Sequence, residues 1–70
     1  MKTMEIGTAV EAVLARRATI IDADSGRNIN GHLRRAFSVA LPACRGDRDA
    51  AASRALGEAL AKVRDAETKR

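Results

Sequence analysis

Apolar positions along the chain fall into three stretches with helical spacing, separated by stretches rich in turn-forming residues. Apolar side chains three and four residues apart lie on one face of an α-helix. This spacing predicts helix A over about 9–21, helix B over about 29–41 and helix C over about 50–68. The expected fold class is all-α or mostly α. Within a single small domain, residues 1–42 form a strand-helix-helix unit and residues 47–70 contain a C-terminal amphipathic helix.

The segment before helix A has a different pattern. Residues 2–7 alternate between apolar and polar side chains, which predicts a short strand. Thr8 and Glu11 then have the spacing of a capping box, in which each side chain bonds a free backbone N–H at the helix start. The apolar face of helix A carries Val10, Val13, Leu14, Ala18 and Ile21.

Helix B follows a stretch of turn chemistry, residues 22–26, in which Gly26 can adopt a positive φ. Asn28 is the expected N-cap. Pro42 is expected to end the helix, because the residue before a proline is disfavoured in the α region. The apolar face of helix B carries Ile29, Leu33, Ala36, Phe37, Ala40 and Leu41.

Helix C follows a charged loop in which Asp47 or Asp49 can serve as the N-cap. Glu58 and Lys62 have the spacing of an ion pair on its exposed side. Its apolar stripe is narrow, like the seam of a coiled coil, and suits pairing with another helix, including one from a second copy. The stripe consists of Ala52, Leu56, Ala59, Leu60, Val63 and Ala66.

The composition limits the size of any core. The chain has 70 residues and is 46% hydrophobic, but 15 of those residues are alanine and only 16 carry a large apolar side chain. Small domains with so little to bury are marginal alone, so we expect a homodimer or a partner-bound form. The predicted interface residues are Leu33, Phe37, Leu41, Ala52, Leu56, Leu60 and Val63.

Composition also predicts a cytoplasmic protein. Cys44 is the single cysteine and cannot form an intramolecular disulfide. No apolar run is long enough to span a bilayer. Glu5 and Glu11 precede any apolar run, which argues against a secretory signal peptide. We therefore expect no contact with a membrane.

Catalytic and metal chemistry have little support. His32 is the single histidine, and nothing in the spacing couples it to Cys44. One His and one Cys do not make a structural zinc site. Asp22 and Asp24 begin like a calcium loop, but Leu33 occupies the position where a bidentate Glu is required. We expect no enzyme activity, no cofactor, no metal and no small-molecule substrate.

The charge balance favours an anionic partner. The net charge is +4, the pI is about 10.2, and ten of the thirteen basic residues are arginine. With one aromatic residue there is no platform for stacking unpaired bases, so duplex DNA is the favoured nucleic acid. The pairs Arg16–Arg17 and Arg34–Arg35 could bind phosphate or a carboxylate-rich partner, or could simply form solvated helix faces.

One segment resembles a known family. Residues 26–30 read Gly-Arg-Asn-Ile-Asn and lead into apolar residues at helical spacing, including Leu33 and Phe37. This pattern resembles the second-helix entry of ribbon-helix-helix DNA-binding proteins of the Arc and MetJ type. The resemblance covers residues 3–41, with its specific part at residues 26–37. It implies an obligatory dimer whose paired N-terminal strands lie in the major groove.

The resemblance also implies roles for individual residues. Lys2, Thr3 and Glu5 would face the bases, and Asn28, Ile29 and Asn30 would offer backbone amides to a phosphate at the helix N-terminus. Helix C would be an appendage, like the toxin-binding tail of small antitoxins of this family. The predicted DNA-binding residues are Lys2, Thr3, Glu5, Arg27, Asn28, Asn30, Arg34 and Arg35.

Two functional hypotheses follow. The first is a dimeric DNA-binding regulator, either a transcriptional repressor or an antitoxin-like protein, in which helix C could bind a protein partner. The second is a small helical adaptor or inhibitor that does not bind DNA, such as a phage- or plasmid-encoded modulator of a host protein. The first requires residues 2–7 to be extended, whereas the second allows them to be helical or disordered.

Overall fold

The part of the chain that the structure describes folds into three α-helices. The computed structural model describes residues 5–68, with side chains over 5–66. Helix α1 spans Ile6–Leu14, α2 spans Asn30–Ala43 and α3 spans Arg48–Thr68. The prediction of a mostly α fold is confirmed, and helices B and C correspond to α2 and α3.

The start of α1 differs from the sequence prediction. Glu5 is the N-cap, with extended backbone angles, and Ile6 and Gly7 are already helical. That part of the predicted strand is therefore wrong, and residues 1–4 lie outside the described residues. Thr8 lies inside the first turn rather than before it, so the predicted capping box does not form. Its partner, Glu11, instead binds an arginine of α3.

Helix α1 ends seven positions earlier than predicted, through a turn with a left-handed residue. Arg16 adopts φ 62°. The N–H of Arg16 donates to Val13 O at 3.0 Å, and that of Arg17 donates to Ala12 O at 2.8 Å. These two bonds are those of a Schellman motif, which closes a helix by satisfying its last carbonyls. The predicted continuation to residue 21 is wrong.

The chain then forms a short hairpin-like connection. Ile21 and Asn28 form an isolated antiparallel bridge. The N–H of Asp22 donates to Arg27 O at 2.9 Å, and that of Ile29 donates to Ile20 O at 3.0 Å. β-Branched side chains such as those at 19–21 favour extended backbone, which explains why this stretch leaves the helix.

Helix α2 begins one residue later and ends two residues later than predicted. Its N-cap is Ile29 rather than Asn28. Pro42 lies inside the last turn instead of ending the helix. In a regular helix, an N–H at position 42 would donate to the carbonyl of Ser38, and proline has no N–H. Ser38 is exposed, so water can solvate its carbonyl instead. The helix closes with a second Schellman motif, in which Arg45 adopts φ 55°.

Helix α3 begins at Arg48, two residues earlier than predicted, and its cap is one of the two aspartates that the sequence offers. The Oδ1 of Asp47 accepts the N–H of Ala50 at 3.2 Å. The spacing predicts that Glu58 pairs with Lys62, four residues after it. It instead lies near Arg54, four residues before it, with Arg54 Nε 3.7 Å from Glu58 Oε1. Helix α3 contacts both other helices, whereas α1 and α2 barely touch each other.

The core lies where α3 meets α1 and α2. Four alanines of α3 are fully buried, and these small side chains allow close approach of the neighbouring helices. The predicted interface residues lie in or against this intramolecular core: Leu33, Phe37, Ala52 and Val63 are buried, and Leu41, Leu56 and Leu60 pack around it. The apolar stripe of α3 thus packs against its own chain from Ala52 to Val63, whereas Ala66 is exposed. The buried set is Val10, Val13, Ile29, Leu33, Phe37, Ala40, Ala51, Ala52, Ala55, Ala59 and Val63.

One charged cluster joins all three helices. Arg48 of α3 makes a bidentate ion pair with Glu11 of α1, with Arg48 Nη2 lying 2.7 Å from Glu11 Oε1. The same guanidinium lies over the ring of Phe37 of α2, 5.1 Å from its centroid. The hydrogen bond from Arg48, helped by its positive charge, holds the pKa of Glu11 below its usual value. This cluster fixes the start of α3 against both other helices.

Candidate nucleic-acid interface

The backbone amides at the start of α2 are largely used within the chain. The N–H of Ile29 donates to Ile20 O at 3.0 Å. The N–H of Asn30 donates to Asn28 Oδ1 at 2.8 Å. Two of the three amides that the sequence assigned to a phosphate therefore already have internal acceptors. The hairpin that precedes α2 supplies the acceptors for these amides.

Asn30 has a positioning role inside the fold. Its Oδ1 accepts the N–H of Ile20 at 3.0 Å, and its Nδ2 donates to Ala18 O at 3.1 Å. A side-chain amide that bonds an N–H and a C=O of the same strand acts like a neighbouring backbone segment. Asn30 thus holds residues 18–20 against the start of α2. Its amide group is directed at the protein rather than at a ligand.

The pair Arg34–Arg35 does not form a single clamp. Consecutive residues of an α-helix point about 100° apart, since one turn takes about 3.6 residues. Arg35 is exposed, and its Nη2 donates to His32 Nδ1 at 3.1 Å. Arg34 is half-buried, and its Nε is buried without a hydrogen-bond partner among the described residues. The two guanidinium groups therefore leave α2 on different sides.

Three other arginines lie on exposed turns. Arg16 and Arg17 follow α1, and Arg45 follows α2. Among the side chains described for residues 5–66, no carboxylate lies within 4 Å of these three or of Arg35. Their charges are available to an external anion, because each is exposed and none is neutralised by an internal ion pair.

The carboxylates are engaged elsewhere. Glu11 binds Arg48, Glu58 lies near Arg54, and Asp24 Oδ2 lies 3.7 Å from Arg64 Nη2. The sequence shows acidic and basic residues evenly mixed, but the fold pairs these acids with one subset of arginines. A second subset has no carboxylate partner among the side chains described for residues 5–66. The Glu11–Arg48 contact joins positions 37 residues apart, so no local spacing could have indicated it.

The buried carboxylate of Asp22 has a structural role. Only 4% of this residue is exposed. Its Oδ2 accepts the Ser25 hydroxyl at 2.8 Å and the Ser25 N–H at 3.3 Å. The hydrogen bond from the Ser25 hydroxyl is the main reason why the pKa of Asp22 lies below its usual value. The turn that resembled a calcium loop is closed by its own hydrogen bonds.

The remaining predicted DNA-binding residues are spread around the N-terminal half of the chain. Lys2 and Thr3 lie outside the described residues. Glu5 is exposed at the N-cap of α1, and Asn28 is exposed in the hairpin. Arg27 is half-buried and makes interactions of its own.

The described residues do not bring catalytic or metal-binding groups together. His32 lies in the first turn of α2 and Cys44 is its C-cap, twelve positions later. At about 1.5 Å per residue, these positions are about 18 Å apart along the helix axis. Over residues 5–68, no group of three or more His, Cys, Asp and Glu side chains could hold a metal ion.

Comparisons of this chain with protein-family models, curated proteins and solved structures give no match. The helices in the described part of the chain lack the length and apolar character needed to cross a lipid bilayer.

Proposed function

We propose that this chain is a small DNA-binding regulatory protein that acts as a homodimer and binds duplex DNA mainly through its phosphates. The observation that carries this proposal is a set of exposed arginines that have no carboxylate within 4 Å among the described side chains: Arg16, Arg17, Arg35 and Arg45. An arginine guanidinium offers a planar set of donors that fits phosphate oxygens. The proposal includes a location in the cytoplasm, where duplex DNA would be accessible.

Duplex DNA is favoured over single strands because the sequence has only one aromatic residue and its side chain is buried. Phe37 is 5% exposed and lies under the guanidinium of Arg48. Proteins that bind unpaired bases use exposed aromatic rings as stacking surfaces. A duplex presents a regular array of phosphates and needs no such surface.

A homodimer is favoured by the small core and by apolar surface outside it. Five of the eleven buried hydrophobic residues are alanine. Ile6 and Ile21 are large aliphatic side chains with 46% and 51% of their surface exposed. Covering such side chains in a second copy would add apolar burial to a marginal fold. A dimer also doubles the number of phosphate contacts.

The ribbon-helix-helix resemblance adds a finer proposal about base contacts. It assigns base reading to Lys2, Thr3 and Glu5 in a strand shared by two chains. Because α1 begins at Ile6, any such strand would consist of residues before this position. The phosphate contacts proposed above do not depend on it.

The test is the affinity of the full chain for random-sequence duplex DNA, measured by fluorescence anisotropy between about 50 and 200 mM salt. Each phosphate contact contributes about 0.9 to the slope of log affinity against log salt. If Arg16, Arg17, Arg35 and Arg45 of both chains make about eight contacts, the slope is about 7.2 and the affinity falls about 20,000-fold over this range. Absence of binding at low salt, or binding indifferent to salt, would refute the proposal. Light scattering of the same samples gives the mass of the free and bound protein.

A further inference from the structure

A shallow groove is lined by residues of α2 and α3 alone. We call it the α2–α3 groove. It has a volume of about 280 Å³ and is lined by His32, Arg35, Ala36, Val39, Glu58 and Lys62. Sites for drug-sized ligands occupy about 300–1,000 Å³. The groove is therefore of a size for one or two side chains of a partner rather than for a whole cofactor.

The floor of the groove is apolar and uncovered. Ala36 and Val39 come from α2, and Val39 is 70% exposed, more than either Ile6 or Ile21. A large aliphatic side chain with this exposure gains free energy when an apolar group of a partner covers it. Val39 is thus the natural contact point for an aliphatic side chain.

The walls of the groove carry a positive charge. Arg35 on α2 and Lys62 on α3 have no carboxylate partner within 4 Å among the side chains described in 5–66. The one carboxylate of the lining, Glu58, lies 3.7 Å from Arg54 and is compensated by it. The bond from Arg35 Nη2 to His32 Nδ1 orients the guanidinium and leaves its other N–H groups free to donate.

We propose that the α2–α3 groove docks a short acidic peptide segment of a partner protein. An aliphatic side chain of the segment covers Val39 and Ala36, and neighbouring Asp or Glu carboxylates bind Arg35 and Lys62. Charge complementarity selects this occupant. A second copy of this chain would bring the same positive walls against each other, and a DNA backbone offers no apolar group for Val39. The groove shares Arg35 with the DNA contacts proposed above, whereas Arg16, Arg17 and Arg45 lie outside its lining.

The probe is the labelled hexapeptide Glu-Asp-Leu-Leu-Asp-Glu, added to the ¹⁵N-labelled full chain and followed by amide chemical shifts and fluorescence anisotropy. Two matched peptides serve as controls, one with Ala in place of Leu and one with Lys in place of each acidic residue. We expect the first peptide to shift the amides of 32–39 and 58–62. Both control peptides should bind at least about tenfold more weakly.

Matched variants assign the binding to the groove. Val39→Asp and Arg35→Gln should each weaken binding of the acidic peptide by at least about tenfold. Ser53→Asp adds the same charge at an exposed position of α3 that lies on another face than Lys62, nine residues away, and Arg45→Gln removes the same charge outside the groove. These two variants should change the affinity less than about twofold.

Four results would overturn the proposal. The first is that the acidic peptide leaves the groove amides unshifted. The second is that the basic peptide binds as tightly as the acidic one. The third is that the control variants weaken binding as much as the groove variants do. In the fourth, duplex DNA or a second copy of the chain shifts the groove amides while the acidic peptide does not. That result would assign the groove to DNA or to self-association.

Discussion

Replacing Leu33 with alanine removes a fully buried side chain from the point where α2 packs against α3. The substitution deletes about three methylene equivalents at about 0.8 kcal/mol each, or about 2.4 kcal/mol of transfer free energy. Part of the cavity remains because the neighbouring helices relax only partly, so the total loss should be about 3 kcal/mol. A chain of this length has a total stability of about 3.5–10 kcal/mol. The variant should therefore lose a large share of its stability.

The assay is urea unfolding followed by far-UV circular dichroism at several protein concentrations, together with thermal unfolding. A loss of about 3 kcal/mol corresponds to a fall in Tm of about 12–24 °C for a domain of this size. The control is Val39→Ala on the same helix, since Val39 is 70% exposed and should change stability by less than about 0.5 kcal/mol. Equal effects of the two substitutions would refute the packing described for α2. A loss that vanishes at low protein concentration would place Leu33 between two chains instead of within one.

Three further predictions concern the contacts that fix α1 and the hairpin. Glu11→Gln should lower the free energy of unfolding near neutral pH. The loss relative to wild type should shrink as the pH falls below about 4.5. The reason is that Glu11, whose pKa is lowered in the fold, stabilises the protein only while its carboxylate is charged. Arg48→Gln should abolish this pH dependence, because it removes the partner of Glu11. The measurement is urea unfolding at several pH values, and a pH dependence that persists in Arg48→Gln would contradict the prediction. Arg16→Gly should raise the free energy of unfolding by up to about 1 kcal/mol, because glycine adopts the left-handed conformation of this residue without strain. The control Arg17→Gly should give no such gain. A loss of stability in Arg16→Gly would contradict the left-handed turn described at the end of α1. Asn30→Ala should cost about 1–3 kcal/mol because two backbone groups of the hairpin lose their partners, and unchanged amide exchange at residues 18–20 would argue against that role.

Helices α2 and α3 could be predicted because their apolar residues recur at helical spacing over their whole length. The cap at Asp47 could also be predicted, since capping depends on a side chain next to the helix start. Helix α1 could not be bounded in the same way. Val10 and Val13 share its buried face, but Ala18 and Ile21 continue the same spacing by coincidence after the helix has ended.

The end of α1 has no local signal. Glycine is the usual left-handed residue after a helix, and here an arginine takes that position. The extended path that follows depends on bonds to Asn28, Ile29 and Asn30, ten or so positions away. Pro42 gave a false signal for a related reason. A proline in the last turn loses only one bond, and both Pro42 and Ser38, whose carbonyl lacks that bond, are exposed.

The candidate site was only partly predictable. The sequence identifies the arginine pairs, but which arginines are paired with carboxylates depends on the folded chain. The Glu11–Arg48 and Asp24–Arg64 pairs join distant segments. The α2–α3 groove likewise combines side chains from two helices, and the exposed Val39 falls outside every apolar stripe that the spacing indicated.

The most direct test of the proposed function compares two double variants that lose the same charge. Arg16→Gln with Arg17→Gln removes arginines without an internal carboxylate, whereas Arg54→Gln with Arg64→Gln removes arginines that lie near Glu58 and Asp24. In a dimer, the first variant should lower the salt slope of duplex binding by about 3.6, since four phosphate contacts disappear. The second should change the slope by less than about 1. Equal changes in the two variants, or none in the first, would contradict the account.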